Sequence, residues 1–177
     1  VQDGDTLGEL HFRAANGDAQ YYRVAAIEAE IDGGVGVSSL PGRLIFSTTA
    51  PGATTQTERL RIDSSGHMGL GVTPNANWPT NGDSKALQIG TGFAAFGRGS
   101  GDEDRGGIAV NYYTDGSSNY YIGNGNANRI YMNDGNIDFQ YAGTNSSGAG
   151  AALTFTRALR IGSDGDINIH NRTAASS

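Results

Sequence analysis

Thr57-Glu58-Arg59-Leu60-Arg61-Ile62-Asp63-Ser64-Ser65-Gly66-His67-Met68-Gly69-Leu70 returns, 99 positions later, as Thr156-Arg157-Ala158-Leu159-Arg160-Ile161-Gly162-Ser163-Asp164-Gly165-Asp166-Ile167-Asn168-Ile169. The Thr, the Leu-Arg-Ile triplet, the Ser and the turn Gly are shared, and an apolar residue closes each copy. Within the first copy Leu60 and Ile62 point to one side of a strand, and Arg59, Arg61 and Asp63 to the other. Ser64-Ser65-Gly66 has the composition of a tight turn, with the Gly free to take positive φ, and Met68, Leu70 and Val72 resume the alternation. The motif therefore predicts a β-hairpin with one apolar and one charged face. Its recurrence points to an architecture of repeated modules rather than to an active site.

Working outward, period-two alternation predicts strands at Leu10–Phe12, Ile27–Ile31 and Leu44–Phe46, followed by a small-residue loop from Thr48 to Gln56. Thr73 to Ser84, with Pro74, Trp78, Pro79 and Asn81-Gly82, reads as a connector. Beyond it, short strands are expected around Leu87–Ile89, Ile108–Val110, Tyr120–Ile122, Ile130–Met132 and Ile137–Tyr141, with hairpin turns at Asp115-Gly116 and Asp134-Gly135. A Gly/Ser/Ala loop from Tyr141 to Ala152 then leads through Leu153 and Phe155 into the second motif. The expected organisation is a first β-module over residues 1–74, a connector over 75–84, a second β-module over 85–171 and a tail over 172–177. The expected fold class is all-β, built from short-stranded modules and hairpins.

Composition supports this reading. Glycine supplies 28 of 177 residues, far above the usual ~7%, which suits many short elements joined by tight turns. The formal charge of −6, with only 12 Lys and Arg, disfavours a phosphate-binding face, so no nucleic-acid partner is expected. No apolar run reaches the ~18 residues of a spanning helix, so no membrane insertion is expected. The absence of cysteine excludes disulfides and thiolate zinc sites. A chain that begins at Val1 is expected to be a fragment or a processed product.

The first motif copy with its continuation Gly71-Val72-Thr73-Pro74, preceded by Pro41-Gly42-Arg43-Leu44-Ile45-Phe46-Ser47-Thr48-Thr49, closely resembles the shaft repeat of bacteriophage tail fibres, especially those of marine and cyanobacterial phages. Leu7-Gly8-Glu9-Leu10-His11-Phe12 and Ala25-Ala26-Ile27-Glu28-Ala29 resemble earlier parts of the same repeat, while residues 150–170 match more loosely. The resemblance implies an intertwined homotrimer in the virion, joined to other tail proteins and serving attachment to a host-surface glycan or protein. The second copy departs from the pattern where Ile167-Asn168-Ile169-His170 replaces the Gly-apolar-Gly-Thr ending. No self-cleaving chaperone sequence of the kind many such fibres carry follows Ser163, so that chemistry is not assigned.

Other chemistry is weakly signalled. His11, His67 and His170 occupy polar strand or turn positions and read as solvated residues; meeting their own copies on a three-fold axis would be the exception. Asp102-Glu103-Asp104 lacks the alternating ligand spacing of a calcium loop. Gly90-Thr91-Gly92-Phe93 fits a loose dinucleotide fingerprint, but Gly97, Gly99 and Gly101 interrupt the helix it needs. No cofactor, metal or catalytic residue is expected, and a polysaccharide-cleaving spike would need a paired-carboxylate cleft that cannot be read from the chain. The candidate contacts to a glycan or receptor are Trp78, Tyr113 and Tyr121, because one tyrosine of each Tyr-Tyr pair flanking the Asp-Gly-Ser-Ser turn should face outward.

Overall fold

A computed structural model describes residues 1–17, 20–80, 84–99 and 104–170. The protein is all-β, with fourteen strands and no helix among the described residues. It divides into two compact units: Val1–Pro74 with Gln88–Gly90, and Asn75–Leu87 with Thr91–Ser177.

The first unit is an antiparallel meander of β1 (Thr6–Ala15), β2 (Tyr21–Ile31), β3 (Gly42–Thr49), β4 (Gln56–Ile62) and β5 (Met68–Leu70). Its register assembles the alternating apolar residues into rows that cross every strand. Leu10, Ile27, Phe46, Leu60 and Leu70 make one such row, and Gly8, Ala29, Leu44, Ile62 and Met68 the next. The opposite face carries the charges. There Arg43 holds Glu30, Asp32 and Asp3 at 2.7, 3.1 and 3.1 Å, and Arg61 holds Glu58 at 2.7 Å. On this face Ala26 and Ile45 are buried, although among the described residues the unit has no second sheet layer.

The second unit contains β6 (Ser84–Ile89, through Leu87), β7 (Phe93–Arg98), β8 (Gly106–Val110), β9 (Tyr113–Thr114), β10 (Asn119–Tyr120), β11 (Gly125–Asn133), β12 (Asn136–Asn145), β13 (Thr156–Ile161) and β14 (Ile167–Ile169). Strands β8, β11, β12, β13 and β14 repeat the meander of the first unit. Their row Ile108, Ile130, Phe139, Leu159 and Ile169 matches Leu10, Ile27, Phe46, Leu60 and Leu70 one for one. The repeat extends to irregularities: the register slips at Arg59 between β3 and β4, and at Ala158 between β12 and β13. Between β8 and β11 the second unit inserts the β9–β10 hairpin, and β7 is added on the outer side of β8.

The two motif hairpins share one backbone. Asp63 N–H donates to the His67 carbonyl at 2.9 Å and Gly66 N–H to the Asp63 carbonyl at 2.9 Å; Gly162 donates to Asp166 at 2.8 Å and Gly165 to Gly162 at 2.9 Å. Both turn glycines have positive φ, 79° and 88°, where a side chain would be strained. The cap differs. In the first copy the Asp63 carboxylate accepts from Ser65 and His67 N–H, whereas in the second that residue is Gly162 and Asp164 accepts from Asp166 N–H.

Several details differ from the sequence expectations. β12 runs on to Asn145, so the Gly/Ser loop begins later than Tyr141, because Thr144 and Asn145 are tied to Asn126 and Gly123. The Tyr120–Ile122 strand shrinks to Asn119–Tyr120, since Tyr121 bonds instead to the Ala151 and Gly150 backbone. Gly90-Thr91-Gly92 is the turn that delivers the chain to β7, a strand the glycine pattern had hidden. The Asn81-Gly82 turn, Asp102, Glu103 and the 172–177 tail lie outside the described residues.

Candidate functional site

Two features stand out: an aromatic cluster on one face of the second unit, and apolar sheet faces left open in both units.

The cluster begins with small residues. On the face opposite the apolar row, Ala94, Gly107, Ala109 and Ala127 are buried and leave room above the sheet. Gly107 is required there, because a Cβ would come within 2.3 Å of the Ile130 carbonyl and 3.3 Å of the Phe96 ring. Phe96 and Tyr112 rise from this surface with ring centres 5.3 Å apart. Trp78 packs on both at 6.0 Å, edge-on to Tyr112, and Phe155 closes the group 5.5 Å from Tyr112. Arg129 threads through, its guanidinium 4.3 Å from the Tyr131 ring centre and 4.2 Å from that of Phe155. Its Nε donates to Gln140 at 2.6 Å and its Nη1 to the Tyr112 hydroxyl at 3.3 Å. Burial pushes the Arg129 pKa below its ordinary value and the Tyr112 pKa above its own.

This places all three expected contact residues inside. Trp78 is 1% exposed, Tyr113 5% and Tyr121 7%. Tyr113 stacks on Tyr120 at 5.2 Å, and the Tyr121 hydroxyl donates to the Gly143 carbonyl at 2.6 Å. The expectation that one tyrosine of each pair faces outward does not hold, because Tyr112 and Tyr113 are both buried. The connector and the Gly/Ser loop supply a second layer over what would otherwise be an exposed strand face: Trp78 sits in the first, and Gly150 and Ala151 in the second. Beside the cluster is a hollow of about 170 Å³ whose lining includes Arg98, Tyr112, Asn119, Arg129 and Tyr131. Apart from Tyr112, its polar groups were not singled out in the sequence, since they come from five separate strands and a turn.

Of the histidines expected to be solvated, His170 is exposed, His11 is half-buried and His67 departs from expectation. His67 is buried at 1% exposure, His170 accepts a hydrogen bond from Arg157 Nε at 2.7 Å, and His11 lies 2.8 Å from Glu9. Asp104 is exposed.

The apolar rows have no such cover. Leu10, Phe12, Leu44 and Leu70 in the first unit, and Ile108, Val110, Met132, Ile137, Phe139, Ile167 and Ile169 in the second, stay exposed, with Ile169 reaching 74%. In the second unit this face is creased by an apolar groove of about 350 Å³ lined by Phe93, Ile108, Val110, Ile130, Phe139 and Tyr141. Continuous exposed apolar area of this kind is characteristic of interaction surfaces.

No family model matches the sequence, and no curated protein matches it. Among solved structures, the chain is similar to the carboxy-terminal domain of the bacteriophage T5 L-shaped tail fibre with its intra-molecular chaperone domain. The TM-score is 0.50 at 12% identity, over 99% of this chain and 57% of that one. A second structure of the T5 tail-fibre carboxy-terminal domain aligns over all of this chain and 83% of its own length, again with a TM-score of 0.50 and 12% identity. The chain thus spans little more than half of the first of these structures, and what it shares with both is a fold: that of a bacteriophage tail-fibre domain.

Proposed function

We propose that the chain is a structural, non-enzymatic segment of a bacteriophage tail fibre, of the kind found in marine and cyanobacterial phages. It works as a homotrimer within the virion, outside the host cell, and supports attachment to a host-surface receptor. The observation that carries this reading is the pair of open apolar faces. In each unit a row of five large apolar residues crosses the meander, and among the described residues nothing of its own unit lies over it.

Burying a Leu, Ile or Phe side chain fully is worth roughly 1.5–3 kcal/mol. Leu10, Leu70, Ile108, Phe139 and Ile169 are the more exposed of these residues and the other five are better covered, so each would gain only the part of that still open when copies of the chain close around a common axis. Summed over both units, association of this strength favours an obligate oligomer in which rows from different chains face one another. The similarity to tail-fibre domains supports the same reading at the level of fold, and the sequence resemblance supports the phage type. Modules of this design space a receptor-binding part away from the particle.

Native mass measurement tests the proposal: a trimer is expected, and a monomer at micromolar concentration would overturn it.

A second reading, contact with a host glycan, is favoured by the polar hollow beside the cluster, whose Phe96 and Tyr112 rest on Trp78; Tyr113 and Tyr121 are buried away from its lining. A glycan array gives binding that Asn119→Ala abolishes if this holds, and no binding if it does not. A polysaccharide-cleaving role has no observation in its favour.

A further inference from the structure

The charged face of the first unit contains a group that the fibre architecture does not explain. Glu9 on β1 and Glu28 on β2 are direct cross-strand partners, so two carboxylates face each other across a ladder position. Like charges placed this way are destabilising unless something lies between them. His11, two residues along β1 and on the same face, brings its imidazole to the same point: Nε2 lies 2.8 Å from a Glu9 oxygen. One donor atom from each of Glu9, His11 and Glu28 falls within 4.8 Å of the other two.

Neighbouring carboxylates on this face are neutralised differently. Arg43 serves Glu30, Asp32 and Asp3, and Arg61 serves Glu58. Among the described residues, no Lys or Arg forms an ion pair with Glu9 or Glu28. The second unit offers a contrast at the equivalent ladder positions. Gly107, Ala109 and Tyr131 stand where Glu9, His11 and Glu28 stand in the first, so the triad is not a requirement of the meander.

From this geometry we infer that Glu9, His11 and Glu28 form a site for a divalent transition-metal ion of the zinc type, one per chain. The donor set suits it: one imidazole nitrogen and two carboxylates, with a remaining position open to water. Metal–ligand bonds of about 2.0–2.2 Å in a tetrahedron place ligand atoms roughly 3.3 Å apart. The triad reaches that spacing by small side-chain rotations, with Glu9 and His11 moving slightly apart and Glu28 closing in. An ion held there gives His11 Nε2, which is buried and makes no hydrogen bond, a partner, and cancels the repulsion across the strands. Because all three ligands stand on paired strands, the site is set by sheet register rather than by a loop.

Titration of the assembled protein with Zn²⁺, followed by calorimetry and thermal unfolding, tests this. The expected result is one ion per chain and a midpoint raised by several degrees. Both effects should fall by tenfold or more in His11→Ala and in Glu28→Gln, and persist in the neighbouring control Glu58→Gln. Ca²⁺ is expected to bind far more weakly, since it does not use the imidazole. Absence of binding at millimolar Zn²⁺, one ion per three chains, equal affinity for Ca²⁺, or unchanged affinity in both variants would each overturn the assignment. A readout on the unsubstituted protein guards against variants that fold poorly: Zn²⁺ should protect His11 from acylation by diethylpyrocarbonate, mapped by mass spectrometry, and equal labelling with and without Zn²⁺ would also overturn it.

Discussion

The first and second units run the same meander with the same ladder, yet they treat the face opposite the apolar row in contrary ways. In the first unit that face carries Glu9, His11, Glu28, Glu30, Arg43 and Arg61, and is finished by ion pairs. In the second, Gly107 and Ala109 stand in place of Glu9 and His11, and Trp78, Phe96, Tyr112 and Phe155 fill the space they vacate. Among the described residues the first unit is a single layer, whereas the second adds a layer of aromatics, of which Trp78, Tyr112 and Phe155 stand on loops and Phe96 on β7. What they hold in common is the uncovered apolar row. The lesson is that this row is the invariant of the repeat, and the opposite face is where the two modules are free to differ.

The sharpest way to break the shared part is to charge it. Leu60→Asp and Leu159→Asp each place a carboxylate at the centre of a row. Each is expected to abolish the trimer, read as a monomer in native mass measurement, because burying an unpaired charge costs more than the neighbouring aliphatics return. A trimer that survives both would show the rows to be open to solvent in the assembly.

The difference between units predicts the next effect. Trp78→Ala should cost about 3–5 kcal/mol in the second unit, seen as lost hydrogen-exchange protection in β8 and β11 while β2 and β3 keep theirs. Equal loss in both units would mean that they unfold as one.

Within the motif copies, position matters more than residue type. A Cβ on Gly69 would lie 2.0 Å from the Val72 carbonyl and 2.8 Å from Pro74 Cδ, whereas the equivalent residue of the second copy is the exposed Asn168. Gly69→Asn is therefore expected to lower stability by roughly 1–3 kcal/mol, and Asn168→Gly to change it by less than 1 kcal/mol, both by thermal unfolding. If the two exchanges cost the same, the first hairpin is not constrained by the chain that follows it.

The smallest effect concerns acid. Hydrogen bonds from Arg160, both at 2.7 Å, hold the Asp138 carboxyl below its ordinary value, against the opposing effect of burial. A depressed carboxylate contributes stability that is fully present above the unfolded value of about 3.9 and is lost as pH falls through the folded value. Asp138→Asn should thus lower stability at neutral pH and flatten the acid limb of the second unit. An unchanged acid limb would assign the sensitivity to other carboxylates of that unit, Asp115 among them, which bonds from the Ser118 and Ser117 N–H groups hold below its ordinary value.

Alternation in the sequence determined which residues form each apolar row. Leu10, Ile27, Phe46, Leu60 and Leu70 can be assigned to one side of their strands because successive side chains point to opposite faces, and Gly66 and Gly165 mark the turns because only they adopt positive φ without strain. The repeat of the hairpin was likewise visible, since its Leu-Arg-Ile core survives in both copies. Tertiary structure decided what covers each face. Trp78, Tyr113 and Tyr121 lie in stretches that read as connector, turn and strand, and nothing local reveals that Gly107 and Ala109, distant in sequence from all of the loop residues above them, clear a space for such side chains. The convergence of Glu9, His11 and Glu28 was hidden for the same reason. Spacing along β1 puts Glu9 and His11 on one face, but only the pairing register of β1 with β2 brings Glu28 opposite Glu9, and register is a property of the folded sheet rather than of either strand.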